Sequence, residues 1–224
     1  MSSHFRPVDQ PIQRHDLVFV SEDGWRTLLE KRADLAGNPL IARWVDNGWP
    51  LVKRRVAPDD GEGVPLGLPL PPFAGKGRLS VLIDPRMIVA IAPPPTLRAA
   101  RETTLPGWRS TLDAIEQLAS WHSIEARVFG SVAWQALTGL DYVADQSDLD
   151  LLLSVRREAG LRAFTQSLSA IEARAPMRLD GELTFGDGLA ISWRELHAGT
   201  REILVKTADD ACLADRSFFL GRTR

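Results

Sequence analysis

Two short stretches of this chain combine residue types suited to chemistry: Gly130-Ser131 and, after sixteen intervening residues, Asp148-Leu149-Asp150. Acidic residues are uncommon inside apolar strands, yet these two aspartates open the run DLDLLLSV. In a strand, residues i and i+2 share a face, so Asp148 and Asp150 point one way while Leu149 and Leu151 point into a core. At about 3.3 Å rise per residue their Cα atoms lie roughly 6.6 Å apart. Their carboxylates can converge on one divalent cation, or on a pair about 3.5–4 Å apart. Oxygen donors suit Mg²⁺, which is typically shared with substrate phosphates. A cation also removes the repulsion between adjacent carboxylates.

The Gly130-Ser131 pair falls between the strand-like ARVFG and an apolar helical run. Glycine lets the backbone come close to a ligand, the following helix N-terminus offers N–H groups to an anion, and Ser131 adds a hydroxyl. A turn gripping a triphosphate, with carboxylates holding a metal on it, is the machinery of nucleotidyl transfer. Taken singly, each part has an ordinary reading: most Gly-Ser pairs only turn the chain, and an Asp-x-Asp at a strand edge is often solvated. The combination, flanked on both sides by apolar strand sequence, is far more specific. RLDGEL supplies a third carboxylate, Asp180 or Glu182, which share a face of their strand. Gly181 leaves room for a ligand or metal beside Asp180, which is therefore preferred; solvent-facing hairpin residues are the alternative.

The elements that must position these groups follow from periodicity. DLVFV (16–20) reads as a strand, with Ser21 capping a helix to about Arg32, a second helix over roughly 39–47 and a strand over 51–57. The Pro- and Gly-rich segment 63–78 cannot be helical, and 79–85 is a further strand. The triple proline in APPPT (92–96) stops a strand and sets a boundary between an N-terminal domain, 1–92, and a catalytic domain, 93–224. Beyond it come a helix over about 109–122, strand 126–130, a helix from Val132 to Leu137 and strand 148–155. A long helix to about Ala173 follows, with Leu161, Phe164, Leu168 and Ile171 on its apolar side, then strands 177–185, 188–193 and 202–207. The fold class is α+β, with a mixed sheet in the second domain.

Composition agrees with a globular protein: 224 residues, 44% hydrophobic and 25% charged. A net charge of -2 gives no bulk pull toward nucleic acid, and the seven tryptophans form no stacking array. The single cysteine, Cys212, forms no internal disulfide and reads as a small hydrophobe of a reducing compartment. MSSHFRPVDQPIQRH lacks the apolar segment of a secretory signal, and no run approaches the ~18 apolar residues that span a bilayer. The expectation is a cytoplasmic protein.

Gly130-Ser131 followed by Asp148-Leu149-Asp150 resembles the signature of the polymerase-beta-type nucleotidyltransferase superfamily. The longer FGSVAWQALTGLDYVADQSDLDLLL, with RLDGEL, WRE and ILVKT, is similar to one family: the phosphoribosyl-dephospho-CoA transferase of malonate decarboxylase, its holo-acyl-carrier-protein synthase. RHDLVFV and VPLGLPLPPFAGKGRLS extend the likeness over nearly the whole chain. The resemblance implies a polymerase-beta-like core. The donor would be 2'-(5''-triphosphoribosyl)-3'-dephospho-CoA, and the acceptor a serine of the apo acyl-carrier subunit. It also implies Asp148 and Asp150 as active-site acids and Gly130-Ser131 as the phosphate-binding turn. Asp180 or Glu182 would then take the serine proton.

The remaining candidates carry weaker signals. Arg54 and Arg55, with Lys76 and Arg78, line a basic wall for donor phosphates, meet an acidic carrier surface, or form a solvated edge. Lys206 reaches pyrophosphate or extends along the surface. Trp134 and Gln135 touch the donor base or ribose, or Trp134 belongs to the core. His15, a lone histidine at a strand start, is a loop cap.

Overall fold

The structure is a computed structural model that describes residues 5–7, 10–75, 77–155, 160–207 and 210–221. It divides into two compact units, Met1–Pro94 and Pro95–Arg224, the break falling inside the triple proline. Among the described residues no helix is long and apolar enough to cross a membrane.

The first unit holds β1 (Leu17–Val20), α1 (Glu22–Lys31), α2 (Ala33–Ala36), α3 (Pro39–Ala42), β2 (Leu51–Lys53), β3 (Val64–Pro69), β4 (Arg78–Ile83) and β5 (Ile88–Ala92). Its sheet runs β4-β3-β2-β1-β5, every neighbour antiparallel. Ser21 caps α1 by accepting from the Gly24 N–H at 3.1 Å. The helix expected over 39–47 stops at Ala42: Trp44 folds inward, fully buried, and its indole N–H donates to Pro50 O at 2.9 Å. The strand expected over 51–57 ends at Lys53, and one further backbone bond, Arg54 N–H to Pro65 O, precedes a loop. VPLGLP forms β3, and the Pro- and Gly-rich segment, expected to hold no helix, also contains a three-residue 3₁₀ turn at Pro72–Ala74. Pro65 and Pro69 fall beyond the rungs that the three-residue β2 makes with Leu66 and Gly67, so their missing N–H groups break no ladder there.

The second unit comprises α4 (Leu97–Arg101), α5 (Arg109–Trp121), β6 (Ile124–Phe129), α6 (Gly130–Thr138), β7 (Leu149–Val155), α7 (Leu161–Glu172), β8 (Leu179–Phe185), β9 (Ala190–Ser192), α8 (Trp193–Ala198), β10 (Glu202–Lys206), β11 (Ala211–Asp215) and α9 (Arg216–Gly221). The sheet order is β11-β10-β9-β8-β7-β6; β7 and β8 are parallel and the other pairs antiparallel, so the sheet is mixed and the fold α+β. Leu149, Leu151, Leu153, Leu179 and Leu183 join one buried cluster with Leu112 and Ile115 of α5, Phe164 and Leu168 of α7 and Trp193 of α8. Each such burial contributes about 1.5–3 kcal/mol. A one-residue slip of β7 would turn its leucines outward and its acids into that core, so the register is strongly held. α4, α8, β11 and α9 are elements the periodicity did not reveal. Cys212, read from the sequence as a small hydrophobe, is exposed on β11, the end strand of the sheet.

Candidate active site

Two strands meeting in parallel create the centre of the site. Leu149 stands opposite Leu179, Asp150 opposite Asp180 and Leu152 opposite Glu182. Neighbouring strands lie about 4.8 Å apart, so the Asp150 and Asp180 carboxylates share one small space. Matched side chains leave the sheet on the same side: farther along, Ser154 Oγ and Thr184 Oγ1 are 3.1 Å apart. The acids are half-buried, whereas Leu149 and Leu151 on the other face have no exposed surface.

The glycine turn abuts this pair directly. Phe129 of β6 stands opposite Asp150, and the chain turns into α6 through Gly130 at φ 63°. A Cβ on Gly130 would lie 1.8 Å from Asp150 Oδ2 and 2.8 Å from its Cγ. Glycine is thus required both for its left-handed backbone and because the Asp150 carboxylate occupies the space of a side chain. Ser131, half-buried in the first turn of α6, lies beside it.

The second strand separates its two acids by role. Asp180 Oδ1 accepts from the Gly181 N–H at 2.8 Å. Glu182 is 6% exposed and its Oε1 accepts from Lys206 Nζ at 2.8 Å, so these two candidates are ion-paired with each other. The space at Gly181 serves packing and makes no room for a ligand: a Cβ there would lie 2.7 Å from Leu151 O, on the covered face. Lys206→Met is expected to cost about 2–3 kcal/mol in urea unfolding, because it strips a mostly buried carboxylate of its ammonium partner. Adding Glu182→Gln should recover most of the loss; equal losses in the single and double variants would refute the coupling.

Asp148 lies at the open end of the row. Arg178 Nη1 approaches its Oδ2 to 3.6 Å, with the side chains 59% and 39% exposed. Arg178 was legible by the same i, i+2 rule that joins Asp148 to Asp150, since it precedes Asp180 by two. Beside it, side chains replace a missing strand. β9 reaches only as far as Glu182 along β8. Past it, the Leu179 N–H donates to Glu172 Oε1 at 2.8 Å and the Leu179 carbonyl accepts from Arg194 Nη2 at 2.6 Å. Glu172 and Arg194 also pair with each other, and Arg194 lies over the Trp193 ring. This clamp fixes the backbone next to Asp180, and residue spacing carries no sign of it.

Two other candidates are spent on structure. Trp134 is 6% exposed and packs near Tyr142, whose phenol is pushed up by burial. Gln135 donates to Thr103 O, and its Oε1 accepts from the Tyr142 and Val143 N–H groups at 3.1 and 2.9 Å. In the first unit, Arg54 grips Asp60 with two hydrogen bonds of 2.7 and 2.5 Å, holding that carboxyl down at about 2. Arg55 Nε and Nη2 are buried with no hydrogen-bond partner among the described residues. Arg78 is exposed and stands opposite Pro69, at the far end of β3 from the Pro65 carbonyl that holds Arg54. β3 therefore keeps Arg54 and Arg78 apart. Lys76 lies outside the described residues.

The donor set at Asp150 and Asp180 is oxygen only. Among the described residues no three His, Cys, Asp or Glu side chains are already gathered to hold a metal ion. Two carboxylates in register nonetheless fit Mg²⁺, which takes one or two protein carboxylates and completes its shell with phosphate and water. A softer, nitrogen- or sulfur-seeking metal finds nothing here.

Comparison with known proteins adds an independent line. Residues 13–94 match the model described as phosphoribosyl-dephospho-CoA transferase MdcG N-terminal domain, and residues 96–217 match the corresponding C-terminal domain. A phosphoribosyl-dephospho-CoA transferase from Bradyrhizobium diazoefficiens is 49% identical over 221 residues, covering 99% of this chain and 98% of the relative. One from Xanthomonas euvesicatoria pv. vesicatoria is 36% identical over 209 residues, covering 91% and 94%. No solved structure matches.

Proposed function

Because the chain belongs to the phosphoribosyl-dephospho-CoA transferase family, we propose that it is a Mg²⁺-dependent nucleotidyltransferase that loads the prosthetic group of malonate decarboxylase. The donor is 2'-(5''-triphosphoribosyl)-3'-dephospho-CoA and the acceptor a serine hydroxyl of the apo acyl-carrier subunit. The serine oxygen forms a bond to the α-phosphorus, the bond from that phosphorus to the bridging oxygen breaks, and pyrophosphate leaves. The observation that carries this reading is the contact between turn and acid: Asp150 fills the side-chain space of Gly130, so a phosphate held at the turn lies against the carboxylates.

In this reading Asp148, Asp150 and Asp180 hold the metal, which when bound neutralises phosphate charge and stabilises the leaving pyrophosphate. Gly130, Ser131 and the first N–H groups of α6 orient the phosphates. Asp180 takes the serine proton, because Glu182 is committed to Lys206. Lys206, fixed by Glu182, offers its charge to the pyrophosphate. The N-terminal domain binds donor or carrier, with Arg55, Lys76 and Arg78 as its remaining basic contacts, and the reaction takes place in the cytoplasm.

Mass spectrometry of the apo-carrier after incubation with donor, Mg²⁺ and this protein tests the proposal. A mass increase equal to the phosphoribosyl-dephospho-CoA group is expected. An unmodified carrier, with pyrophosphate released from ATP as AMP passes to another acceptor, would assign the chain to ordinary nucleotide chemistry. An unmodified carrier that still binds tightly would make it an adaptor.

A further inference from the structure

We infer that Arg178 is an exchangeable latch on Asp148, released when a metal and a phosphate chain arrive together; the inference rests on the metal-dependent reading above. The parallel register sets Asp148 beside Arg178, one row outward from Asp150 and Asp180. Their ion pair, 3.6 Å long and exposed on both sides, differs from its neighbours. Lys206 is bound at 2.8 Å to an acid whose side chain is 8% exposed, and Arg194 is locked to Glu172 and the Leu179 carbonyl. Arg178 thus stands beside these acids with a bond weak enough to exchange.

The consequence is a coupling between two ligands. While Arg178 holds Asp148, that carboxylate is neutralised and drawn from the Asp150–Asp180 pair, so a divalent cation alone meets a competitor. A phosphate chain changes the balance. The guanidinium fork matches phosphate oxygens with two parallel N–H donors, a better partner than the loose contact to Asp148. Moving to the phosphate frees Asp148 for the metal, so phosphate and metal assist each other. Arg178 therefore acts in two ways, as a positioning residue through Asp148 and as a direct contact to the donor phosphates.

The test measures Mn²⁺ alone, and inorganic pyrophosphate in saturating Mg²⁺, by titration calorimetry. Arg178→Ala is expected to bind Mn²⁺ about two- to fivefold more tightly, the range for loss of an exposed ion pair. It should bind pyrophosphate about tenfold more weakly, through loss of charged hydrogen bonds. Arg178→Lys should restore part of the pyrophosphate affinity. Removing any nearby positive charge would shift both affinities in these directions, so Asp148→Asn supplies the discriminating background. There, Arg178→Ala should change Mn²⁺ affinity clearly less than in the wild-type background, because the latch has nothing to hold and only the general charge effect remains. An equal Mn²⁺ effect in both backgrounds, or an unaltered pyrophosphate affinity, would overturn the latch while leaving the metal site standing. Failure of the wild-type protein to bind Mn²⁺ at all would remove the metal reading and the latch with it.

Discussion

Asp150→Asn is expected to lower the rate of carrier modification by about a thousandfold or more while leaving the protein about as stable as before. The two effects have one cause. The asparagine would keep the size and planarity of the side chain against Gly130, where a Cβ would otherwise sit 1.8 Å from Oδ2, so the turn is undisturbed. It would remove a charge standing opposite Asp180 on the neighbouring strand. Relief of that like-charge repulsion, on the order of 0.2–1 kcal/mol, offsets the loss of the carboxylate's other contacts, so metal-free unfolding should shift by no more than about that amount. In the proposed reaction the same charge is the centre of the metal set, and losing metal-assisted charge stabilisation would remove several kcal/mol from the transition state. Urea unfolding in EDTA and the initial rate of carrier mass gain check the two halves. A variant that stays within tenfold of the wild-type rate would show that the Asp150–Asp180 pair is not where the chemistry happens.

The half of this arrangement that depends on local spacing is legible in the amino-acid sequence itself. Asp148 and Asp150 alternate with leucines that all reach zero exposure, and a strand permits no other partition of such a run. The half that depends on register is not. Asp180 is separated from Asp150 by the whole of α7, and nothing in either strand alone says which residue of β8 meets which residue of β7. The same alternation reaches two further residues. It places Gly181 on the covered face, where it meets Leu151 and no ligand, and it puts Arg178 beside the acids. Trp134 and Gln135 were misleading for another reason. A nine-residue helix that follows a left-handed glycine turn must also anchor that turn, and Gln135 does so by tying α6 to Thr103 and to the loop at 142–143. β11 and α9 escaped because ACLAD offers little apolar alternation and its residues remain largely exposed. In the first unit the early end of α3 was set by the indole of Trp44, a long-range demand that helical periodicity does not register.

Gly130→Ala separates the backbone's contribution from that of the acid it touches. Alanine at φ 63° carries the left-handed penalty of about 1–2 kcal/mol. Its Cβ would also fall 1.8 Å from Asp150 Oδ2, 2.8 Å from Cγ and 3.3 Å from Cβ, so Asp150 must leave its place opposite Asp180. Adding the steric displacement, typically about 1–3 kcal/mol, gives a total destabilisation of about 2–5 kcal/mol. Transfer should fall at least about a hundredfold, because a displacement near 1 Å at a reacting centre already costs that much. The two contributions are separable in an Asp150→Ala background, where Oδ2 and Cγ are gone and the nearest remaining Asp150 atom was 3.3 Å away. There Gly130→Ala should cost only its backbone part, about 1–2 kcal/mol, so the two substitutions are markedly non-additive in urea unfolding. Strict additivity would mean that the turn tolerates a side chain by moving away from Asp150 instead of pushing it. A phosphate held at that turn would then no longer lie against the carboxylates, and the contact on which the proposed reaction rests would lose its meaning.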